Sequence, residues 1–210
     1  MARLLEHDAL RILADYGVNV PDFAVATTPA EAALATERFG GKSVVKALIP
    51  RSGRGAAGAV RIARSPREAE AIAAGMLGEE ILQSLVERVL VCRLVEAEWE
   101  IFVSFEPADG GKTLLTASAL GGIDREVVRE QDPDALIRRP LDASGMSDYL
   151  AREVAGDLGL GVHESAALVP ALQGMYRAFV GSDASLLEVN PLIVTVGPSA
   201  VAATAVMLLN

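Results

Sequence analysis

The sequence predicts an α+β protein made of two αβ lobes that clasp a cleft. Its order is a helix, a β-rich lobe with two helices, then a second αβ lobe. Residues 43–62 (SVVKALIPRSGRGAAGAVRI) place a glycine-rich connection between two short β-branched runs, which reads as a hairpin with a long, flexible turn. Near the C-terminus, Glu188-Val189-Asn190-Pro191 sits inside an apolar run, so polar oxygens interrupt what otherwise reads as a buried strand.

The elements follow in order. Residues 3–16 put Leu4, Leu5, Ala9, Leu10, Ile12 and Leu13 mostly on one helical face, and Gly17 stops the helix. Residues 18–25 read as an extended entry. Thr28-Pro29-Ala30-Glu31 starts a helix that runs to about Phe39 and ends at Gly40-Gly41. After the glycine-rich hairpin, Ser65-Pro66 is an N-cap followed by proline at the first helical position; Ala69, Ile72, Ala73 and Met76 mark the buried face. Strands are expected at 89–95 and 100–105, then a turn at Asp109-Gly110-Gly111 and a return strand at 113–118, closed by Gly121-Gly122. Residues 132–147 read as a connection with short helical turns, 147–158 and 164–180 as helices, and 185–195 and 201–208 as strands around Val196-Gly197-Pro198-Ser199.

Composition limits the function. A chain of 210 residues, 51% hydrophobic and 4% aromatic, buries a core of Ala, Val and Leu and is not disordered. Net charge of −9 and the lack of a basic block argue against nucleic acid. A single cysteine excludes a disulfide framework and fits a reducing compartment. No signal peptide is apparent, and Glu188, Asn190, Pro191 and Pro198 break the apolar C-terminal stretch, so no membrane span is expected. A soluble, cytoplasmic protein is the expectation.

Four features can carry chemistry. Lys46 ends an apolar run just before Gly53-Arg54-Gly55. Glycines let a backbone approach phosphate, and a lysine adds a point charge. This is no Walker P-loop, because no Lys-Ser/Thr pair opens a helix after the glycines. The segment Cys92-Arg93-Leu94 follows a strand and offers main-chain groups to a base edge. Glu100 can grip ribose hydroxyls. Glu188 and Asn190, two apart on a strand, share a face whose oxygens suit Mg²⁺ beside a triphosphate. His7 and His163 have no ligand-spaced companions, and Asp124 and Glu126 read as a solvated loop.

These segments resemble the ATP-grasp part of the succinyl-CoA synthetase β subunit and related NDP-forming acyl-CoA synthetases. LLEHDALRILADYGVNVP resembles the family's N-terminal helix and entry strand. VVKALIPRSGRGAAGAV resembles VVK…GGRGKAGGV, SALGGIDREVV resembles STEGGVEIEKV, and SLLEVNPLIVT resembles LIEINPLVIT. The resemblance covers essentially the whole chain. It implies an ATP-grasp fold, with residues 1–20 and 95–210 as the larger lobe, 21–94 as the smaller, and ATP or GTP held in the cleft. It further implies phosphate contacts from Lys46 and the Gly53-Arg54-Gly55 backbone, and base contacts from the main chain at Cys92 and Leu94. Glu100 falls on the ribose glutamate and Asn190 on a Mg²⁺ ligand. Glu188 matches the glutamate facing a phosphohistidine from a partner α-type, CoA-binding subunit.

Departures from the family pattern matter as much. The second Mg²⁺ ligand, an Asp, falls on Thr204, and AVAATAVMLL holds no carboxylate. A carboxylate from elsewhere, such as Asp183, would have to fill that gap. The loop lysine is Ala56 and the glutamate before Gly-Gly is Leu120. The chain stops where the family's CoA-ligase domain would begin. The expected function is the nucleotide half-reaction of an acid–CoA ligase, within a heteromer or homo-oligomer. The alternative is a catalytically weakened subunit with a nucleotide-sensing or structural role. A carboxylate–amine ligase is a third reading, for which no convergent basic pocket is apparent.

Overall fold

The first twenty residues fold with the C-terminal part of the chain. In the computed structural model, which describes residues 2–123, 132–142, 144–197 and 199–210, β1 (Ala2–Arg3) pairs antiparallel with Leu209 and Leu208. Helix α1 (Glu6–Asp15) buries Ala9, Leu10 and Leu13 on one face. Asn19 then forms a parallel bridge to Val201. The chain divides into two compact units, Met1–Val20 with Glu96–Asn210, and Pro21–Val95.

The Pro21–Val95 unit is a four-stranded antiparallel sheet with two helices on one face. Its strands are β2 (Phe23–Ala26), β3 (Ser43–Ala47), β4 (Val60–Ala63) and β7 (Val89–Arg93), in the order β2-β7-β3-β4. Helix α2 (Pro29–Arg38) starts on a full capping box, in which Thr28 Oγ1 accepts the Glu31 N–H at 3.2 Å and Glu31 accepts the Thr28 N–H at 3.3 Å. Helix α3 (Pro66–Ala74) is capped by Ser65 Oγ, 3.1 Å from the Glu68 N–H. Val45, Ala47, Ala63, Val89 and Val91 pack with Ala32, Ala35, Ala69 and Ile72 into one core. Because side chains alternate, Lys46 and its cross-strand neighbours Val60 and Leu90 lie on the opposite face, away from α2 and α3. A small hairpin, β5 (Glu80–Ile81) with β6 (Ser84–Leu85), precedes β7.

The other unit is organised by a larger antiparallel sheet. After β8 (Trp99–Ala108) and a tight turn at Asp109–Gly111 come β9 (Lys112–Ser118) and β10 (Ile137–Leu141). Helices α4 (Asp148–Asp157) and α5 (Val162–Gly181) follow, then β11 (Ala184–Val194), β12 (Ala200–Ala202) and β13 (Ala205–Leu209). The strand path is β1-β13-β11-β8-β9-β10, with β12 also on β11. Helix α5 covers one face, where Phe105 meets the rings of Tyr176 at 5.9 Å and Phe179 at 6.1 Å.

The structure departs from the sequence reading at several places, beginning with Ala2–Arg3, which form β1 so that the helix expected from residue 3 starts at Glu6. Residues 137–141, expected in an irregular connection, form edge strand β10; Arg138, Arg139 and Pro140 hid it, and such residues are tolerated where one strand side meets water. The single strand expected at 201–208 is two, bent at Ala203 and Thr204. The β5–β6 hairpin was not expected, because its turn uses positive φ at Leu82 and Gln83 rather than at glycine. Asp124, Glu126 and Pro198 lie outside the described residues.

Candidate functional site

Lys46 lies within β3 between Val60 and Leu90 and is only 3% exposed. A buried ammonium is costly without compensation, which marks this lysine as more than surface decoration. The connection that follows is a built turn. Gly53 O accepts from Ala57 N at 3.1 Å, Arg54 O from Ala59 N at 2.9 Å and Gly55 O from Gly58 N at 3.0 Å. Gly53 and Gly58 take φ of 72° and 71°, which a residue with a Cβ adopts only at a cost. Like the start of a helix, such a turn directs its opening N–H groups away from its own carbonyls. The Arg54 guanidinium is buried and donates from Nη1 to Ala47 O at 3.1 Å. The arginine thus ties the turn back to the residue after Lys46.

Cys92 is 2% exposed and paired on both sides, with Phe23 and with Val44, so its main chain runs inside the sheet. Leu94 lies past the last paired residue, and its N–H reaches Lys42 O only at 3.5 Å, a weak bond at best. Of the two, Leu94 has the main chain better placed to meet a ligand.

In the other unit, Glu100 leads an alternation along β8. Glu100, Phe102 and Ser104 share the face opposite Ile101, Val103 and Phe105, whose side carries α5. Ser104 stands across from Glu188 on β11 and from Thr116 on β9. Glu188 is half-buried. Ser104 Oγ is fully buried and has no hydrogen-bond partner among the described residues. Sequence reasoning passed over Ser104; the polar positions alternating through 100–104 were the available signal.

Asn190 and Pro191 form an irregularity in β11. Both stand between the pairs Val189–Val103 and Leu192–Ile101, so β11 carries one more residue than β8 there. Bulges of this kind re-aim side chains. Asn190 Oδ1 accepts the Gly122 N–H at 2.7 Å, and Asn190 Nδ2 donates to Ile123 O at 2.9 Å. The same turn presses on Glu100. The Gly121 N–H donates to Glu100 O at 2.9 Å, and a Cβ on Gly121 would stand 2.3 Å from the Glu100 carbonyl carbon. A Cβ on Gly122 would lie 2.6 Å from Glu100 Oε2. Asn190, Gly121-Gly122 and Glu100 therefore form one packed group.

The register joining Val189 to Ala205 and Leu192 to Ala202 puts Thr204 across from Asn190. Asp183 cannot fill the gap left there. It precedes the other end of β11, roughly 20 Å away at the strand rise, and is bonded to Asn210 at 3.3 Å through its carbonyl. Among the described residues no group of three His, Cys, Asp or Glu side chains converges. Asn190 Oδ1 spends one of its two lone pairs on the Gly122 N–H, and Thr204 across from it carries no formal charge, so the pair makes a poor site for a resident Mg²⁺.

A family model described as the ATP-grasp domain matches residues 3–194. The chain belongs to the ATP-grasp domain family. Among curated ATP-grasp relatives, the β subunit of ADP-forming succinate–CoA ligase from Chloroflexus aggregans is 41% identical over 195 residues, covering 91% of this chain and 51% of the relative. The GDP-forming succinate–CoA ligase β subunit of Thermus thermophilus is 38% identical, covering 99% and 55%. The chain thus spans about half the length of these relatives. A solved structure of dinucleotide-forming acetyl-coenzyme A synthetase 1 from Ca. Korarchaeum cryptofilum, in complex with coenzyme A, Ca-AMPCP and HgCl⁺, aligns with TM-score 0.79 at 20% identity, over 99% of this chain and 93% of that one. Another structure of the same synthetase holds coenzyme A and Mg-AMPPCP, with a phosphohistidine segment pointing towards the nucleotide-binding site (TM-score 0.74, 20% identity, 99% and 93% covered). At that identity the likeness shows the ATP-grasp fold.

Proposed function

We propose that this ATP-grasp chain is the nucleotide-binding, β-type component of an NDP-forming acid–CoA ligase. Its two units are the smaller and larger ATP-grasp lobes. The observation that carries this reading is Lys46, buried in a sheet next to a glycine turn that Arg54 ties to Ala47. Lys46 and the main chain of Gly53, Arg54 and Gly55 hold the triphosphate. Main-chain groups near Leu94, with Cys92 contributing none through its thiol, meet the base, and Glu100 binds the ribose hydroxyls. The substrate is a nucleoside triphosphate carrying its own Mg²⁺. ADP-forming and GDP-forming relatives support either base.

The chemistry follows from charge and position. Phosphoryl transfer demands neutralised oxygens and an in-line acceptor more than covalent assistance. Lys46 and the turn N–H groups neutralise the phosphates. Glu188 touches the histidine of a CoA-binding α-type subunit, accepting a ring N–H so that the other nitrogen is free to attack the γ-phosphorus, breaking its bond to the β,γ-bridging oxygen and releasing the nucleoside diphosphate. The phosphohistidine segment recorded for the archaeal synthetase and the subunit naming of the ligases support such a partner.

The test is to incubate the chain with a CoA-binding α-type subunit and γ-labelled ATP. The expected result is acid-labile, base-stable label on the α subunit, lost in Glu188→Gln. Label-free α subunit alongside tight ATP binding would instead favour the nucleotide-sensing role, for which the absent carboxylate at Thr204 speaks.

A further inference from the structure

Asn190 uses both ends of its amide. The oxygen takes the Gly122 N–H at 2.7 Å and the nitrogen gives to Ile123 O at 2.9 Å. Neither bond is local in sequence, since 68 and 67 residues separate the partners. The segment so held is packed against the Glu100 main chain closely enough to exclude a Cβ at Gly121, and a Cβ at Gly122 would stand 2.6 Å from Glu100 Oε2 and displace the carboxylate. Across from Asn190 stands Thr204, and no carboxylate cluster forms among the described residues. An amide engaged as donor and acceptor at once matches a structural clamp, and neither Asn190 nor Thr204 brings the formal charge that a hard cation favours.

We infer that Asn190 is a positioning residue that fixes the Gly121–Gly122–Ile123 turn on Glu100, and through it the carboxylate that receives the nucleotide ribose, independently of any cation. The inference rests on the nucleotide reading above only for its binding arm. With Asn190 in place, the turn limits where the Glu100 carboxylate lies. Without it, the Gly122 N–H and Ile123 carbonyl turn to water and the carboxylate loses its neighbour. The cation then travels with the triphosphate, and the protein contributes to nucleotide affinity through the turn.

Two variants separate clamp from ligand. Asn190→Ala removes both bonds; Asn190→Asp keeps an acceptor for Gly122 but sets a carboxylate against the Ile123 carbonyl. Amide exchange at Gly122 and Ile123 is followed in the ligand-free chain, and ATP is titrated with Mg²⁺ and again with EDTA. The clamp predicts Gly122 exchange about tenfold faster in Asn190→Ala and far less changed in Asn190→Asp. It also predicts that ATP affinity falls in the order wild type, Asn190→Asp, Asn190→Ala, by about tenfold overall, equally in both buffers. Unchanged exchange in Asn190→Ala overturns the inference. So does an Asn190→Asp chain that binds ATP more tightly than wild type in Mg²⁺ alone, because an added charge then serves a metal. Should the wild type bind no nucleotide in either buffer, the proposed function falls, while the exchange comparison still decides the clamp.

Discussion

The two glycine turns, one in each unit, are braced in opposite ways. The turn at 53–58 is held from within: its carbonyls bond forward along the chain, and Arg54 reaches back seven residues to Ala47. The turn at 121–123 is held from outside, by Asn190 arriving from another strand. In the first, glycine is required by backbone dihedrals, with φ of 72° at Gly53, while Gly55 has open space around it. In the second, Gly121 is required by crowding against the Glu100 main chain, and Gly122 by its φ of 75°. A self-braced turn keeps its form when its surroundings shift, whereas a turn braced at long range reports on the register of the sheet that holds it.

The largest effect should come from removing the internal brace. Arg54→Ala leaves a buried carbonyl without its charged donor, and the chain should lose about 2–3 kcal/mol in chemical denaturation together with ATP binding. Arg54→Lys should not restore it, since an ammonium cannot reproduce the planar fork. Denaturation of Arg54→Lys at wild-type midpoint would show that the turn is not braced this way.

The glycines sharpen the contrast. Gly121→Ala forces main chain apart at Glu100 and should cost about 1–3 kcal/mol, while Gly55→Ala meets no atom within 4 Å and should stay within about 0.5 kcal/mol of wild type. If Gly55→Ala keeps its stability but loses ATP affinity, a ligand approaches that backbone closely. Equal stability losses for the two variants, measured by urea unfolding, would erase the distinction drawn here.

A smaller effect serves as a control that belongs to neither turn. The Thr27 N–H, then the Thr27 hydroxyl and the Thr28 N–H, hold the Glu31 carboxyl below its ordinary pKa. A depressed carboxylate contributes stability in full above its ordinary pKa and loses it as pH falls through the depressed folded value. Glu31→Gln should therefore flatten that acid-side decline slightly, read from melting points across pH, and leave ATP binding unchanged.

The comparison also explains what was legible in the sequence. The 53–58 turn was readable because its chemistry is contiguous: apolar runs, Lys46, glycines and an arginine within a single stretch, paired in the expected hairpin. Capped helices were equally plain, since Thr28-Pro29 and Ser65-Pro66 carry their partners three residues on. Asn190 was singled out, but for its oxygen alone. Its partners at Gly122 and Ile123 come from β-strand register and a bulge, which no local pattern encodes. Ser104 left only a faint trace, the alternation with Glu100, and its place across the ladder from Glu188 comes from register.

The central claim is that buried Lys46 and its glycine turn hold the phosphates of a nucleoside triphosphate. Calorimetric titration of ATP into the wild type and Lys46→Met, a swap that nearly conserves volume, tests it most directly. The account predicts saturable binding at one site, weakened at least about a hundredfold in the variant, with the ligand-free unfolding midpoint close to wild type. Equal affinity in the two proteins would contradict it.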